Sequence, residues 1–162
     1  MKLQYIAAAA LAVLPNLAAA EDVIRHKTPG STFPIARAVE IPAGKTTVYV
    51  SGMTPSRVNQ EVDPKSPEAW GDTKTQTLSV LKNIETALTD IGLGMGDVVK
   101  MQVYLVAPEG APADFAGFME AYTQYYGTEA QPNLPARSAM IVEALVNPNW
   151  LVEIEVTAVR PE

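Results

Sequence analysis

The apolar residues of this chain recur with two different periods, and the order of these periods limits the possible folds. Two segments, 73–91 and 112–126, show the three- and four-residue spacing of amphipathic helices. The segments with the alternation or the β-branched composition of strands are 35–41, 46–51, 98–106, 138–145 and 151–159. The order strand, strand, helix, strand, helix, strand, strand predicts an α+β domain, in which two helices pack on one face of a mixed sheet.

Both predicted helices have an apolar side and a glycine beyond their last turn. Gly92 and Gly127 follow the two periodic segments, and glycine readily adopts the left-handed conformation found after helix C-termini. The apolar side of the first helix consists of Leu78, Leu81, Ile84, Leu88 and Ile91. The apolar side of the second helix consists of Phe115, Phe118, Met119 and Tyr122.

Polar segments rich in proline, glycine and asparagine are expected to connect these elements. Segment 42–45 predicts a hairpin turn between the first two strands, and segment 147–149 predicts a turn between the last two. Segment 54–72 predicts a long surface loop. Strand 98–106 is so rich in apolar residues that we expect it in the centre of the sheet.

The first 20 residues have the three regions of a secretory signal peptide. Lys2 supplies a positive charge, segment 6–14 is an unbroken apolar run, and alanines occupy positions 18–20. A membrane anchor is less favoured, because a spanning helix needs about 20 apolar residues. We predict cleavage after Ala20 and a periplasmic or secreted product that is not attached to a membrane. The mature chain would have an extended lead-in over 21–34 and one domain over 35–162.

The composition excludes several classes of function. The chain has no cysteine, so it forms no disulfide, thiolate nucleophile or cysteine-based metal site, and the single His26 cannot build a multi-histidine site. It has 12 basic and 18 acidic residues, a net charge of −6. Removal of Lys2 with the signal peptide leaves 11 basic and 18 acidic residues, a net charge of −7. We expect no nucleic-acid partner, because no basic patch could bind a phosphate backbone.

Two weak motifs are better explained by a structural role than by ligand binding or catalysis. The glycines at 92, 94 and 96 resemble a phosphate-binding loop, but they follow a helix, so no helix N-terminus would face the phosphate. His26 lies in the polar lead-in, and no Ser-His-Asp set can be assembled around it. We predict a helix-to-strand turn and a solvated histidine.

The last 30 residues contain the most informative charged groups. Pro135 stiffens the chain just before Arg137, which opens a predicted strand and is therefore expected at the end of the sheet. In segment 152–156, alternation places Glu153 and Glu155 on one face and the apolar residues on the other. If the last two strands paired through their turn, Arg137 would lie nearer to Glu155 than to Glu153. The residues alone favour a solvated face with a surface ion pair.

Several short motifs, taken in order, resemble the reactive intermediate deaminase family (RidA, also called YjgF). The most specific are Pro135-Ala136-Arg137-Ser138 and the Val-Glu-Ile-Glu strand at 152–155. The other motifs are Val-Ser-Gly at 50–52 with Pro55, Gly-Asp-Val-Val-Lys at 96–100, and Phe-Ala at 115–116 with Tyr122. The resemblance covers residues 33–160. It implies a chorismate-mutase-like fold and a homotrimer with ligand clefts between subunits.

The resemblance also implies the hydrolysis of reactive 2-imino or enamino acids to 2-keto acids and ammonia, without a metal or an organic cofactor. Arg137 would bind the carboxylate of a small imine or keto acid through its planar guanidinium. Glu153 would position and deprotonate the attacking water. Ser51 and Gly52 would line the cleft, and the backbone carbonyl of Ala139 would hold the imine nitrogen.

This chain departs from the family pattern at the predicted site. Many relatives carry tyrosine at the position of Ile35, cysteine at Ala139 and asparagine at Met119, and segment 56–71 is longer than in typical members. These changes predict a shifted substrate range. Two alternatives stay open: a protein that binds small carboxylates without turnover, and a holdase chaperone. The ribonuclease activity sometimes attached to the family is disfavoured by the negative charge.

Overall fold

The computed structural model describes residues 22–161, and the predicted signal peptide lies outside them. The helices are α1 (Thr73–Thr89) and α2 (Phe115–Tyr122), and short 3₁₀ turns occur at Pro67–Ala69 and Met95–Asp97. The strands are β1 (Ile24–His26), β2 (Ala38–Glu40), β3 (Thr47–Met53), β4 (Val98–Val106), β5 (Ala136–Val142) and β6 (Val152–Val159). No helix in this part of the chain is long and apolar enough to cross a membrane.

The main sheet has the strand order β3-β6-β4-β5. Strand β6 runs antiparallel to β3 and β4, whereas β5 runs parallel to β4. The crossover that parallel pairing needs contains α2. Both helices pack on one face of this mixed sheet, which confirms the predicted α+β architecture. Strand β4 lies inside the sheet, as its apolar composition predicted.

The hairpin predicted between the first two strands is wrong. A turn is present at 147–149 as predicted, but the last two strands do not pair through it. Strand β2 pairs with β1 in a separate two-stranded sheet and not with β3. Strands β5 and β6 are not neighbours, because β4 lies between them. In its observed position β6 pairs along both edges and buries Val152, Ile154 and Val156 against the helices. This burial of apolar surface outweighs the short chain distance that favoured a hairpin.

The first strand lies in the segment that we expected to be an extended lead-in. Arg25 attaches it to the domain, because its guanidinium donates hydrogen bonds to three backbone carbonyls. The donor–acceptor distances are 2.8 Å to the oxygens of Val98 and Leu134, and 2.9 Å to the oxygen of Gly96. His26, on the same strand, contacts the Glu40 carboxylate at 2.6 Å and is exposed, as predicted.

Helix α1 follows the predicted pattern more closely than α2. Leu81, Ile84 and Leu88 are fully buried, whereas Ile91 lies beyond the end of the helix and is exposed. Gly92 follows the helix with a φ of 74°, the left-handed conformation expected after a C-terminus. Helix α2 ends at Tyr122, four residues earlier than predicted, with Phe118 and Tyr122 fully buried.

The predicted surface loop over 54–72 is tied to the core by Gln76. This side chain is almost completely buried, and its amide nitrogen donates to the carbonyls of Gly71 and Asn149 at 3.1 and 2.9 Å. Its amide oxygen accepts a hydrogen bond from the Leu151 backbone at 2.7 Å. The end of the loop, the first turn of α1 and the start of β6 are therefore joined through one side chain.

Candidate ligand-binding site

Arg137 is the second residue of β5 and lies on the sheet face that carries the helices. Its register partner on β4 is Met101, which is fully buried on that face. Aromatic rings surround the guanidinium, because the second helix and the segment before β2 both approach this end of β5. The distances from the guanidinium carbon to the ring centroids are 4.2 Å for Tyr122, 5.0 Å for Phe118, 5.5 Å for Phe33 and 5.9 Å for Phe115.

No carboxylate within residues 22–161 forms an ion pair with Arg137. Its Nη2 donates to the sulfur of Met119 at 3.3 Å, and its Nη1 is shielded from solvent without an acceptor. Burial lowers the pKa of Arg137, and Tyr122 partly opposes this effect. Because a guanidinium stays protonated in proteins, the site holds a positive charge that no carboxylate among residues 22–161 balances.

The Tyr122 ring packs against the Arg137 guanidinium and is held in place by a hydrogen bond. Its hydroxyl donates a hydrogen bond to the carbonyl oxygen of Pro34 at 2.8 Å. Burial raises the pKa of Tyr122 to about 12, although Arg137 opposes the shift, so the phenol is neutral at physiological pH. The ring therefore offers Arg137 a cation–π contact and no counter-charge.

The guanidinium borders a cleft with a volume of about 320 Å³. The remaining lining residues are apolar and include Phe33, Ile35, Phe115 and Ala139. Ala139 lies two residues after Arg137 on β5 and is exposed. Among residues 22–161, Arg137 is thus the one charged group in the lining of this cleft.

Glu153 lies on the opposite face of the sheet. Its register partner is Tyr104 on β4, whereas the flanking Val152 and Ile154 are buried on the helix face, as alternation predicted. Gly52 lies directly against the Glu153 side chain, and a Cβ atom at position 52 would overlap the carboxylate. Ser51 and Gly52 are exposed and occupy an irregularity in the pairing of β3 with β6.

The five predicted site residues thus form two groups in one chain. Arg137 and Ala139 lie on β5, whereas Ser51 and Gly52 lie with Glu153 where β3 meets β6. Strand β4 separates β5 from β6, so their backbones are roughly 10 Å apart. A single chain does not bring Arg137 and Glu153 to one site. The described residues also contain no cluster of three or more acidic or histidine side chains that could hold a metal ion.

Sequence reasoning missed the contribution of Phe33 to this site. The ring lies 5.5 Å from the Arg137 guanidinium although more than 100 residues separate the two in the chain. The one sequence feature that could have indicated this contribution is the position of Phe33. It lies two residues before Ile35, where many relatives carry tyrosine. Phe115 and Tyr122 were identified as residues of a packing face and of a family motif, but not as neighbours of Arg137.

The chain is similar to one known family along most of its length. The family described as endoribonuclease L-PSP matches residues 27–160. A RutC family protein of Pyrococcus abyssi is 32% identical over 143 residues, which cover 88% of this chain and 98% of the relative. The 2-iminobutanoate/2-iminopropanoate deaminase of Salmonella typhimurium is 29% identical over 140 residues, which cover 86% and 98%.

The fold is also found in solved structures of similar proteins. The crystal structure of Escherichia coli TdcF with bound serine is 29% identical and superposes with a TM-score of 0.55. The match covers 86% of this chain and 98% of TdcF. The chain therefore belongs to the endoribonuclease L-PSP family, the same RutC/YjgF (RidA) family that its motifs resemble.

Proposed function

We propose that this protein hydrolyses reactive 2-imino or enamino acids to 2-keto acids and ammonia, without a metal or an organic cofactor. The observation that carries the proposal is the Arg137 guanidinium, which borders a cleft and has no carboxylate partner among residues 22–161. A substrate carboxylate would supply the missing counter-charge and accept hydrogen bonds worth about 1.5–3 kcal/mol each. The name of the Salmonella relative, an imino-acid deaminase, supports the same reaction class.

Besides Arg137, the proposed chemistry needs a general base for the attacking water and a hydrogen-bond acceptor for the imine N–H. Water attacks the imine carbon while the Glu153 carboxylate accepts a proton from it. The backbone carbonyl of Ala139 accepts a hydrogen bond from the imine N–H. Glu153 returns this water proton to the nitrogen, which gives the carbinolamine. As the carbon–nitrogen bond then breaks, the hydroxyl proton passes through Glu153 to the nitrogen, so ammonia leaves and the 2-keto acid remains.

This reaction requires Arg137 and Glu153 at one site, and we therefore propose a homotrimer with the cleft between subunits. The two edge strands support an interface, because Tyr49 on β3 is 82% exposed and Ile141 on β5 is 72% exposed. Light scattering after size-exclusion chromatography should give the mass of three chains. A monomer at micromolar concentration would contradict the assembly.

We further propose that the protein acts outside the cytoplasm, because residues 1–20 have the pattern of a signal peptide. N-terminal sequencing of protein purified from its host should begin at Glu21. Retention of Met1 would contradict export.

The test of the activity uses imines generated in place by an amino-acid oxidase, with keto-acid release followed over time. The protein should accelerate release, and Arg137→Ala should lose most of the acceleration. Arg37→Ala is the matched control, since Arg37 is an exposed arginine outside the cleft and should keep the full rate. Equal rates with and without the protein would exclude the deaminase function.

A second candidate function is the binding of a small carboxylate without turnover. It is favoured by the separation of Glu153 from Arg137 within one chain, since a monomer would keep the carboxylate site and lack the base. Tight binding of 2-oxobutyrate together with no imine hydrolysis would support this function over the first.

A further inference from the structure

The cleft beside Arg137 offers a ligand one charged group and otherwise apolar surface. Phe33 and Phe115 are 45% and 41% exposed, and both rings lie within 6 Å of the guanidinium carbon. Leu105 contributes a buried apolar side chain to the lining. Apart from Arg137, the side chains that one subunit contributes to the lining carry no nitrogen or oxygen atom. On this side of the cleft, a ligand held by its carboxylate would therefore place the rest of its atoms against apolar groups.

The cleft is larger than the smallest imino acids require. Its volume of about 320 Å³ is many times the roughly 10–15 Å³ that a cavity needs to hold one water molecule. A three-carbon imino acid would leave water against the exposed rings of Phe33 and Phe115. A longer side chain would displace this water and gain the free energy of apolar burial.

One wall of the cleft is fixed before a ligand binds. Phe33 and Ile35 flank Pro34, whose carbonyl oxygen accepts the hydrogen bond of the Tyr122 hydroxyl at 2.8 Å. The same Tyr122 ring lies 4.2 Å from the Arg137 guanidinium carbon. The apolar wall and the carboxylate-binding cation are thus held at a set distance by one buried side chain. Such an arrangement favours ligands whose apolar group begins close to the carboxylate.

We infer that this site selects 2-imino acids with branched aliphatic or aromatic side chains over three-carbon imino acids. The inference rests on the proposed function and specifies its substrate class. Each buried methylene is worth about a fourfold change in binding. The three additional carbons of the leucine-derived imine predict a preference over the alanine-derived imine on the order of 50-fold in kcat/KM.

The experiment compares imines made from alanine, leucine and phenylalanine by the same oxidase. Wild-type protein should process the leucine and phenylalanine imines with a kcat/KM at least tenfold above that for the alanine imine. Phe33→Ala and Phe115→Ala should each lower this ratio at least threefold. Ile91→Ala is the matched control, because Ile91 is also 41% exposed and lies outside the cleft, and it should leave the ratio unchanged.

The outcomes separate this inference from the proposed function. Turnover of all three imines with a ratio near one, or with a preference for the alanine imine, would overturn the selectivity and leave the deaminase function intact. Absence of any turnover would overturn the function, and calorimetry with 4-methyl-2-oxopentanoate and pyruvate would then test the selectivity. Tighter binding of the branched keto acid would support the inference, and equal or weaker binding would overturn it.

Discussion

Replacement of Arg137 by methionine should strongly weaken ligand binding while leaving the fold at least as stable. Nη1 of Arg137 has no acceptor, and an unsatisfied buried donor costs about 1–3 kcal/mol. The cation–π contact with Tyr122 at 4.2 Å returns about 0.5–2 kcal/mol. The three more distant phenylalanine rings change the comparison little, because a methionine sulfur also packs favourably against aromatic rings. The difference between the cost of the unsatisfied donor and the gain of the cation–π contact favours methionine. Methionine fills similar space and has no charge to desolvate. We expect the free energy of unfolding to stay constant or to rise by up to about 2 kcal/mol.

Arg25 provides the matched control, because it is also a half-buried arginine whose pKa is lowered by burial. Its guanidinium donates to three backbone carbonyls, so Arg25→Met would leave these acceptors without their partner. Charged hydrogen bonds contribute about 1.5–3 kcal/mol each, and water can replace some of them at a half-exposed site. Arg25→Met should therefore lower the free energy of unfolding by about 2–4 kcal/mol.

Urea denaturation followed by the fluorescence of Trp70 and Trp150 measures the stability of each variant. Calorimetry with 2-oxobutyrate measures binding, which should weaken about 100-fold or more in Arg137→Met, since two charged hydrogen bonds are lost. A loss of more than about 2 kcal/mol of stability in Arg137→Met would refute the reasoning, because the guanidinium would then be a structural anchor like Arg25.

Three further predictions address other parts of the fold. Gly52→Ala should lower imine turnover about 10- to 100-fold by displacing the Glu153 carboxylate, whereas Gly96→Ala, where a Cβ makes ordinary contacts, should not. Gln76→Leu should reduce the free energy of unfolding by about 2–4 kcal/mol in urea titrations, because three backbone groups lose their partner. Asp72→Ala should cost about 1 kcal/mol at neutral pH through loss of the helix cap. Hydrogen bonding to Thr75 lowers the pKa of Asp72 below 3.8, so the carboxylate stabilises the fold fully above that pH, and the difference should shrink as the pH falls through the lowered pKa.

The periodic parts of the fold could be predicted from the sequence, whereas the strand order could not. The spacing of Leu81, Ile84 and Leu88 encodes a buried helical face locally, and these residues are buried. The insertion of β6 between β3 and β4 depends on contacts between segments about 50 and 100 residues apart. No local pattern carries that information, so the nearest strands in the chain were paired incorrectly.

The candidate site shows the same division between local and long-range information. The position of Arg137 at the start of a strand follows from Pro135 and the β pattern after it. The rings at 115, 118 and 122 share the helix face that the sequence predicts, but only the folded chain brings that face and Phe33 to the Arg137 guanidinium. The face of Glu153 was predictable by alternation, but its distance from Arg137 across β4 was not.

The most direct test is a crystal structure of the protein with 2-oxobutyrate. The account predicts that the ligand carboxylate lies about 3 Å from the Arg137 guanidinium, within the apolar cleft. It also predicts that the partner subunit's Glu153 faces the keto carbon. A keto acid bound elsewhere, or an Arg137 side chain directed away from its carboxylate, would contradict the proposed site.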